Sequence, residues 1–360
     1  MSHDEVTDKA PSRGRLARRA VKLPPYRLEA PEENLELLPN VEGMVTGFFP
    51  GGATVHVQGN VLLCGIAKTF RAPEGTSALA VGDGVTVAVV QQEHRSDSAA
   101  GDKVRADGMI LARQPRSSAL VRPQPRSAKR VKKYQTAWAE KVIVANIDQL
   151  LIVMSVRQPP LRAAVVDRFL IVAERGELAP LLVINKIDLG SPDESTVAGF
   201  VDLGVKVVLC SAVTGAGLDD LRAALAGRRS VLAGASGVGK STLVNALVPG
   251  ATAAVRSVRV KDQRGRHTTG ATCIYELAGD ARGGVIVDTP GVRELGIELT
   301  AAELPWYFPE FDEHSPRCHF SNCTHTHEPD CAVLAAVEAG TISARRYESY
   351  LRILGTLTKT

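Results

Sequence analysis

One short stretch constrains the fold of this chain more than any other. Residues 234–242 read GASGVGKST, between an apolar segment, SVLAG, and a helix-forming segment that begins near Lys240. Glycines at this spacing let backbone N–H groups wrap phosphate oxygens, the lysine reaches the outer phosphates, and the following hydroxyl binds Mg²⁺. The stretch predicts a phosphate-binding loop in an α/β domain. Its candidate contacts are Gly234, Ala235, Ser236, Gly237, Val238, Gly239, Lys240, Ser241 and Thr242.

A second motif lies upstream of this loop. Residues 181–190 read LLVINKIDLG, an apolar strand followed by Asn185-Lys186-x-Asp188. This is how a GTPase reads guanine: Asp188 accepts hydrogen bonds from the base, Asn185 bonds its other edge, and the Lys186 stem lies along the ring. After the next apolar run, CSAVTG at 210–215 supplies Ser211 and Ala212 for a second base-contacting loop. Together these loops predict guanine specificity, because adenine presents the wrong groups.

A third loop predicts a magnesium and γ-phosphate site. Residues 283–292 read GGVIVDTPGV, in which Asp288 is placed to hold Mg²⁺ through water and the Gly291 amide to sense the γ-phosphate. Between this loop and the phosphate-binding loop lies RGRHTTGAT, whose Thr268 and Thr269 are both candidates for the threonine that closes on Mg²⁺. We favour Thr269 and give it, with Lys240, a catalytic role. The predicted magnesium set is therefore Ser241, Thr269 and Asp288.

The residue that activates water is the least ordinary part of the predicted site. Ras-type enzymes carry a water-orienting glutamine just after the glycine of the Asp-x-x-Gly loop, but Val292 stands there. His267, beside the two threonines, is the nearest polar substitute; the alternative is a surface histidine without a role. We expect slow intrinsic hydrolysis until a partner orders this loop.

The order of the motifs is reversed relative to an ordinary GTPase, in which the phosphate-binding loop comes first. In a doubly wound sheet all these loops emerge at the carboxyl ends of parallel strands, so the site depends on strand positions and not on chain order. A circular permutation therefore preserves the site. It also makes the chain pass from the Asp288 loop directly into the C-terminal domain, where a change of nucleotide state can be transmitted.

The chain of 360 residues divides into five predicted segments. Close-spaced β-rich runs with glycine turns favour a small OB-type β-barrel over 39–121, with an SH3-like barrel as the alternative. Alternating strands and helices predict the permuted α/β P-loop GTPase domain over 139–299. The other segments are a basic, disordered arm at 1–38, a basic linker at 122–138, and a small zinc-binding domain with helices at 300–360.

A cysteine and histidine cluster predicts the metal site of that last domain. Residues 318–331 read CHFSNCTHTHEPDC and place Cys318, Cys323, His325 and Cys331 in one short segment. Three thiolates and an imidazole suit one tetrahedral structural Zn²⁺ with no open position for chemistry. The nitrogen position has competitors in His314, His319 and His327.

Charge and composition suggest the compartment and the partner. The net charge is only +4, but basic residues crowd residues 13–27 and 113–133 on both sides of the predicted barrel, which favours nucleic acid as a partner. The six cysteines are sparse and half of them are clustered, as in a reducing cytosol. The polar N-terminus predicts no export signal, and no apolar run approaches the ~20 residues of a membrane span. We expect a cytoplasmic monomer.

These residues resemble one family, the circularly permuted GTPases that depend on the small ribosomal subunit (RsgA/YjeQ). The likeness spans roughly residues 41–355 and includes GMILARQPRSSALVR, NIDQLLIV, NKIDL, GASGVGKSTLVNAL, GRHTT, DTPGVREL and CHFSNCTHTHEPDCAV. It implies an OB barrel, a permuted GTPase domain and a zinc domain. It also implies binding to the 30S subunit and its 16S rRNA during late assembly, and departure after GTP hydrolysis to GDP. In such proteins the histidine of the Gly-Arg-His-Thr-Thr stretch, here His267, is implicated in hydrolysis.

Two other functions compete with an assembly GTPase. An RNA-binding adaptor would use GTP or GDP only as a conformational ligand, with little turnover; Lys240, Ser241 and Asp288 favour the enzyme. A GTP-dependent metallochaperone is disfavoured because the cysteines fit a closed structural site.

Overall fold

The computed structural model describes most of the chain downstream of residue 40. The described residues are 40–49, 51–70, 78–89, 106–125, 138–248, 255–256, 272–277, 283–289, 292 and 299–357. Four predicted site residues, His267, Thr268, Thr269 and Gly291, lie outside them, as does the predicted arm at 1–38.

The first domain is a closed five-stranded barrel. Its strands are β1 (Val41–Phe49), β2 (Gly52–Val57), β3 (Asn60–Ile66), β4 (Gly84–Val89) and β5 (Gly108–Arg113). They close in the order β1-β2-β3-β5-β4, and β3 and β5 are the parallel pair. Alternate residues such as Val45, Val55, Val85 and Ile110 are buried and fill the interior. The barrel confirms the predicted OB-type arrangement.

A two-stranded ribbon follows the barrel. Strands β6 (Ala119–Pro125) and β7 (Trp138–Ala145) pair antiparallel, with Ala119 opposite Ala145 and Pro125 opposite Trp138. The segment predicted as a linker, 122–138, therefore has strand at both of its ends. Its proline-containing, basic composition indicated a linker, but an edge strand accommodates prolines that a central strand cannot.

The second domain is built on a seven-stranded sheet. Its strands are β8 (Gln149–Ser155), β9 (Ala179–Asn185), β10 (Lys206–Leu209), β11 (Arg229–Ala233), β12 (Val255–Arg256), β13 (Cys273–Glu276) and β14 (Val285–Asp288). Their order is β10-β9-β8-β11-β14-β13-β12. The first five strands in this order are parallel, and β13 and β12 are added antiparallel. The helices of this domain are α1 (Ala163–Arg175), α2 (Glu194–Val201), α3 (Leu218–Leu225) and α4 (Lys240–Leu247).

The sheet is covered on both faces, as a parallel sheet requires. All seven residues of β8, QLLIVMS, are buried at its centre. One apolar cluster includes Ile152 and Val166 of α1, and a second includes Leu151 and Leu243 of α4, so successive β8 side chains enter opposite faces. The strand that precedes the phosphate-binding loop, β11, lies between β8 and β14 although it follows β10 in the chain, which is the predicted permutation of connectivity.

The C-terminal domain combines short 3₁₀ turns with two helices. The turns are Leu304–Tyr307, Pro309–Phe311 and Ser315–Arg317, and the helices are α5 (Ala332–Glu338) and α6 (Ala344–Leu357). Phe308, Phe311 and Tyr350 form its aromatic centre, with ring centroids 5.0 to 5.4 Å apart. Within the described ranges, no helix combines the length and apolar character needed to cross a membrane.

Candidate nucleotide and metal sites

The predicted nucleotide loops meet at one edge of the sheet. Each follows the carboxyl end of a parallel strand: Asn185 ends β9, Cys210 follows β10, Gly234 follows β11, and Asp288 ends β14. Neighbouring strands keep these ends level, because Ile184 pairs with Leu209 and Val231 with Val287. The sheet therefore gathers loops that are far apart in the chain, as the permuted order requires.

Lys186 connects the guanine loop to the phosphate-binding loop. Its Nζ donates to the carbonyl of Gly237 at 2.7 Å and to the carbonyl of Gln158 at 2.5 Å. The residue has a left-handed backbone, φ 63°, which lets the chain turn sharply out of β9. The stem of the side chain thus extends between the two loops, where a base stacked on it would lie.

Asn185, which is predicted to bond the edge of the base, also bonds protein on both sides of its amide. Its side chain is 1% exposed, its Nδ2 donates to the carbonyl of Val238 at 3.0 Å, and its Oδ1 accepts from the N–H of Ala212 at 3.0 Å. Both ends of the amide are therefore bonded to protein. Asn185 therefore joins the two base loops to the phosphate-binding loop. Its contact with the edge of the base stays a prediction.

Asp188 and Ser211 face each other across the base loops. The Ser211 hydroxyl donates to Asp188 Oδ1 at 2.5 Å, and Ser211 Oγ accepts from the N–H groups of Val213 and Thr214. Ser211 is buried and Asp188 is exposed, so the serine fixes one carboxylate oxygen and leaves the other toward solvent. This arrangement orients an anionic acceptor at the mouth of the site.

The phosphate-binding loop depends on glycine at three positions. Gly234, Gly237 and Gly239 have φ values of 131°, 83° and 93°, a region that L side chains rarely adopt. A Cβ on Gly239 would stand 2.5 Å from Asn185 Nδ2, and one on Gly234 would stand 2.2 Å from the carbonyl oxygen of Val153. Lys240 is 6% exposed, and its Nζ donates to the carbonyls of Gly234 and Ala235 at 2.8 and 2.5 Å. The ammonium is held at the opening of the loop.

Replacing Gly239 by alanine should weaken nucleotide binding by roughly 10- to 30-fold. The new Cβ displaces the Asn185 amide and breaks its two hydrogen bonds, which contribute about 1 kcal/mol each. Gly204→Ala is the matched control, because Gly204 has a positive φ of 76° but open space around it. Fluorescent GDP titration of both variants checks the prediction. An equal loss of affinity in the two would assign the effect to backbone strain and not to Asn185.

Two predicted magnesium ligands, Ser241 and Asp288, are among the described residues near the phosphate-binding loop. Ser241 is exposed at the start of α4, and Asp288 is half-buried at the end of β14. Thr272 donates its hydroxyl to that of Thr289 at 3.1 Å and so ties β13 to the beginning of the Asp288 loop. Val292 is fully buried in the core beneath the sheet, so the position of the Ras-type glutamine offers no polar group to water.

The four predicted metal ligands converge in the C-terminal domain. The sulfur atoms of Cys318, Cys323 and Cys331 and a ring nitrogen of His325 all lie within 4.8 Å of one another. Cys318 Sγ is 3.9 Å from Cys331 Sγ, and His325 Nδ1 is 3.6 and 3.5 Å from these two sulfur atoms. A tetrahedral Zn²⁺ with ordinary bond lengths separates its ligands by about 3.5 to 3.8 Å. The donor set and its spacing fit one such cation.

Surrounding groups hold these ligands in place. Tyr347 and Tyr350 of α6 donate to the carbonyls of His325 and Thr324, both at 2.7 Å. The Glu328 carboxylate accepts from the N–H groups of Thr324 and Thr326. Burial alone would raise the pKa of Glu328, but these bonds and the Thr324 hydroxyl outweigh it, so the pKa is lowered and the carboxylate stays charged.

The ligand groups themselves have shifted pKa values. Burial is the main reason that the pKa of the Cys323 thiol is raised to about 12, with the Cys331 and Cys318 thiols adding to it. Burial likewise lowers the pKa of His325, which keeps its ring neutral. A bound divalent cation opposes the first shift, because it binds thiolates and displaces their protons.

The Gln158 carbonyl and the Pro159 ring lie near the nucleotide loops, although neither residue belongs to a recognised sequence motif. The Gln158 carbonyl, in the loop between β8 and α1, accepts from Lys186, and a Cβ on Gly237 would lie 3.6 Å from the ring of Pro159. A backbone carbonyl carries no side-chain signal, so only its position after the central strand could have suggested this role. The 157–159 loop therefore lines the site beside the Lys186 stem.

Fold and sites together define a class: a circularly permuted P-loop GTPase with an N-terminal OB-type barrel and a C-terminal domain able to bind a metal. The RsgA GTPase family profile matches residues 113–298. The chain belongs to the RsgA GTPase family, and it is a GTPase.

Individual relatives agree with this assignment. The chain is 40% identical to the small ribosomal subunit biogenesis GTPase RsgA of Chlorobaculum tepidum, over 82% of this chain and 90% of that protein. It is 35% identical to the protein of the same description from Shewanella oneidensis, over 90% of this chain and 86% of that one. The crystal structure of YjeQ from Thermotoga maritima matches with a TM-score of 0.65 and 31% identity, covering 89% of this chain and all of that one.

Proposed function

We propose that this chain hydrolyses GTP to GDP and phosphate on the 30S ribosomal subunit during late small-subunit assembly. The observation that carries the proposal is the connection among the three loops. Lys186 and Asn185 bond the carbonyls of Gly237 and Val238 in the phosphate-binding loop, and Asn185 also accepts from the Ala212 N–H of the second base loop. A guanine site and a phosphate site held at a fixed separation suit a guanine nucleotide. The relatives' printed description, small ribosomal subunit biogenesis GTPase, supports the assembly role.

In this proposal the base is read by the two loops that Asn185 joins. Asp188 accepts from the guanine N–H groups with the carboxylate that Ser211 orients. The Lys186 stem lies along one face of the base, and the Ser211–Ala212 backbone contacts its carbonyl edge. Adenine offers no donors to Asp188, which gives the preference for guanine.

The phosphates and their cation are held by the other loops. Backbone N–H groups of residues 234–242 surround the phosphate oxygens, and Lys240 transfers its hydrogen bonds from the loop carbonyls to the β- and γ-phosphates. Ser241 and Asp288 offer the hard oxygen donors that Mg²⁺ prefers, with Thr269 in preference to Thr268 as a third. The Gly291 amide senses the γ-phosphate.

We assign the Cys318, Cys323, His325 and Cys331 cluster to one structural Zn²⁺. Three thiolates with one imidazole at these separations suit this ion, and the full ligand set leaves no position for a reactant. With Nδ1 as ligand, the other ring nitrogen of His325, which lies 3.4 Å from Ser315 Oγ, carries its proton and donates there.

The proposed partner is the 30S subunit through its 16S rRNA. Docking should depend on the barrel and on the basic stretches at 13–27 and 113–133. Arg113 and Arg116 are nearly buried and pair with Asp83, so the other basic residues of these stretches supply the charge that attracts a phosphate backbone. Docking should therefore weaken as salt rises. We propose that the protein acts in the cytoplasm as a monomer.

Hydrolysis should be slow for the protein alone and strongly stimulated by purified 30S subunits. Since Val292 is buried, we assign His267 to the attacking water, in a loop that the subunit orders. His267→Ala should still bind GTP and the subunit but lose about 10²- to 10⁴-fold of the stimulated rate. Phosphate release with and without subunits measures this. Lys240→Ala is the contrasting variant and should fail at nucleotide binding.

Two results would change the assignment. Parent-rate hydrolysis by His267→Ala on the subunit would remove His267 from catalysis. No stimulation of the parent protein by subunits would favour the RNA-binding adaptor, in which the nucleotide acts only as a conformational ligand.

A further inference from the structure

A buried ion-pair cluster joins the GTPase domain to the C-terminal domain. Asp167, in the middle of α1, is fully buried, and its two carboxylate oxygens accept from Arg346 Nη1 at 2.7 Å and Arg345 Nη1 at 3.2 Å. Arg346 is 3% exposed and donates through Nε to Glu310 Oε1 at 2.6 Å. We call Asp167, Glu310, Arg345 and Arg346 the Asp167 cluster. Its two cations and two anions balance in charge.

Each arginine of the cluster also lies on an aromatic ring. The Arg346 guanidinium is 4.3 Å from the ring centre of Phe308 in the C-terminal core. The Arg345 guanidinium is 4.8 Å from the ring centre of Phe200 in α2, the helix that follows the guanine loop. Planar guanidinium groups suit this combination of carboxylate pairing and ring stacking. α6 is therefore attached to both α1 and α2.

Helix α1 belongs to two apolar cores at once. Val166 and Ala173 pack beneath the central sheet, whereas Ile171 packs with Phe308, Phe311 and Tyr350 in the C-terminal domain. The C-terminal domain thus includes part of a GTPase-domain helix in its own core. Separating the two domains would expose Ile171 and remove both arginine partners from Asp167.

The cluster lies between the metal ligands and the guanine loop. On one side, Phe311 contacts His325 edge-to-face at 5.6 Å, and Tyr350 holds the Thr324 carbonyl. On the other side, α1 begins just after the 157–159 loop, whose Gln158 carbonyl holds Lys186. The connection between the two sites therefore runs through packed side chains and hydrogen bonds as far as α1, and through the backbone of residues 158–163 to the guanine loop.

We propose that the Asp167 cluster makes metal binding and guanine-nucleotide binding thermodynamically linked, with Asp167 as the positioning residue. A filled metal site holds the 3₁₀ turns and α6 in place, and the cluster transfers that order to α1 and α2. The inference rests on the proposed assignment of both sites. By linkage, each ligand raises the affinity for the other by the same factor.

The cluster suits this role better than apolar packing would. A buried ion pair adds little net stability, because desolvation offsets the attraction, but it penalises every arrangement in which its partners separate. The pairing of Asp167 with two arginines therefore selects one position of α6 on α1. A purely apolar contact would allow α6 to slide.

The experiment measures binding, not turnover. Fluorescent GDP is titrated into zinc-loaded and chelator-treated full-length protein, and Zn²⁺ affinity is measured by indicator competition with and without GDP. We expect zinc to raise GDP affinity by at least about fivefold, the lower end of measured couplings, and GDP to raise zinc affinity by the same factor. In Asp167→Asn both ratios should fall toward one.

Two variants separate coupling from misfolding. Arg345→Gln is milder, because Arg346 still pairs with Asp167, and it should give an intermediate ratio. Glu348→Gln removes an exposed pair with Arg352 on the same helix and should keep the full ratio. Circular dichroism confirms that each variant is folded.

Three results would contradict the proposed linkage or the role of the Asp167 cluster in it. Equal GDP affinity in zinc-loaded and zinc-free parent protein overturns it while leaving the GTPase assignment intact. An undiminished ratio in Asp167→Asn and Arg345→Gln removes the cluster from the linkage. Failure of the zinc-loaded parent to bind GDP at all overturns the proposed nucleotide site and, with it, this inference.

Discussion

Cys323→Ser should lose its metal and unfold the C-terminal domain. A structural Zn²⁺ contributes an apparent ~10 to 16 kcal/mol in small metal-dependent domains, more than most single domains have in total stability. The segment from Cys318 to Cys331 has little apolar core of its own, and its order depends on ligands and on the Glu328 and tyrosine hydrogen bonds. Metal analysis should find about one zinc per chain in the parent and almost none in the variant.

The competing histidines are the controls for this prediction. His319 and His327 are exposed, whereas His325 is 4% exposed and faces the sulfur atoms. His319→Ala and His327→Ala should therefore keep the metal and the fold, as judged by metal content and limited proteolysis. Full zinc content in Cys323→Ser, with loss in either histidine variant, would show that the ligand set is wrong.

Asp188→Asn should lower GTP affinity by about 10²- to 10⁴-fold and favour xanthosine triphosphate. In the proposed site the carboxylate makes two charge-assisted hydrogen bonds to guanine, each contributing about 1.5 to 3 kcal/mol. The asparagine amide presents a donor where guanine also has one, and xanthine offers an acceptor there. Competition of GTP and xanthosine triphosphate for fluorescent GDP measures the change.

Two control variants test whether the effect is specific to the Asp188 carboxylate. Asp219→Asn alters a carboxylate that is 99% exposed and pairs with Arg222 on α3, so its nucleotide affinity should equal that of the parent. Ser211→Ala removes the hydroxyl that orients Asp188 and should give a smaller loss of GTP affinity without a change of preferred base. Unchanged GTP affinity in Asp188→Asn would exclude Asp188 from the base site.

The short motifs predicted much of the site because each is contiguous in the chain. Gly234 to Ser241 encodes a loop conformation through its own glycines, whose φ values of 83° to 131° require them. The four metal ligands lie within fourteen consecutive residues, CHFSNCTHTHEPDC, so a local chain segment brings them together. Such features depend on the local backbone conformation, which the residue types of the segment themselves determine.

Features made by distant residues were not predictable in this way. The Asn185 motif predicts contact with the base, but nothing local indicates that its amide also bonds Val238 and Ala212, 53 and 27 residues away. The 122–138 segment was interpreted as linker, because strand pairing between Pro125 and Trp138 depends on the return of the chain. Amino-acid composition is a property of the segment itself, whereas strand pairing depends on the strand with which the segment pairs.

The sequence by itself determined the nucleotide, the donor set for a metal and the permuted order of the loops, since each follows from residue types at fixed short spacing. Only the tertiary structure decided how the domains are joined. Asp167 and Arg346 are 179 residues apart, and neither belongs to a motif. Their pairing exists because α6 packs on α1, where burial makes a lone carboxylate costly and its arginine partners necessary.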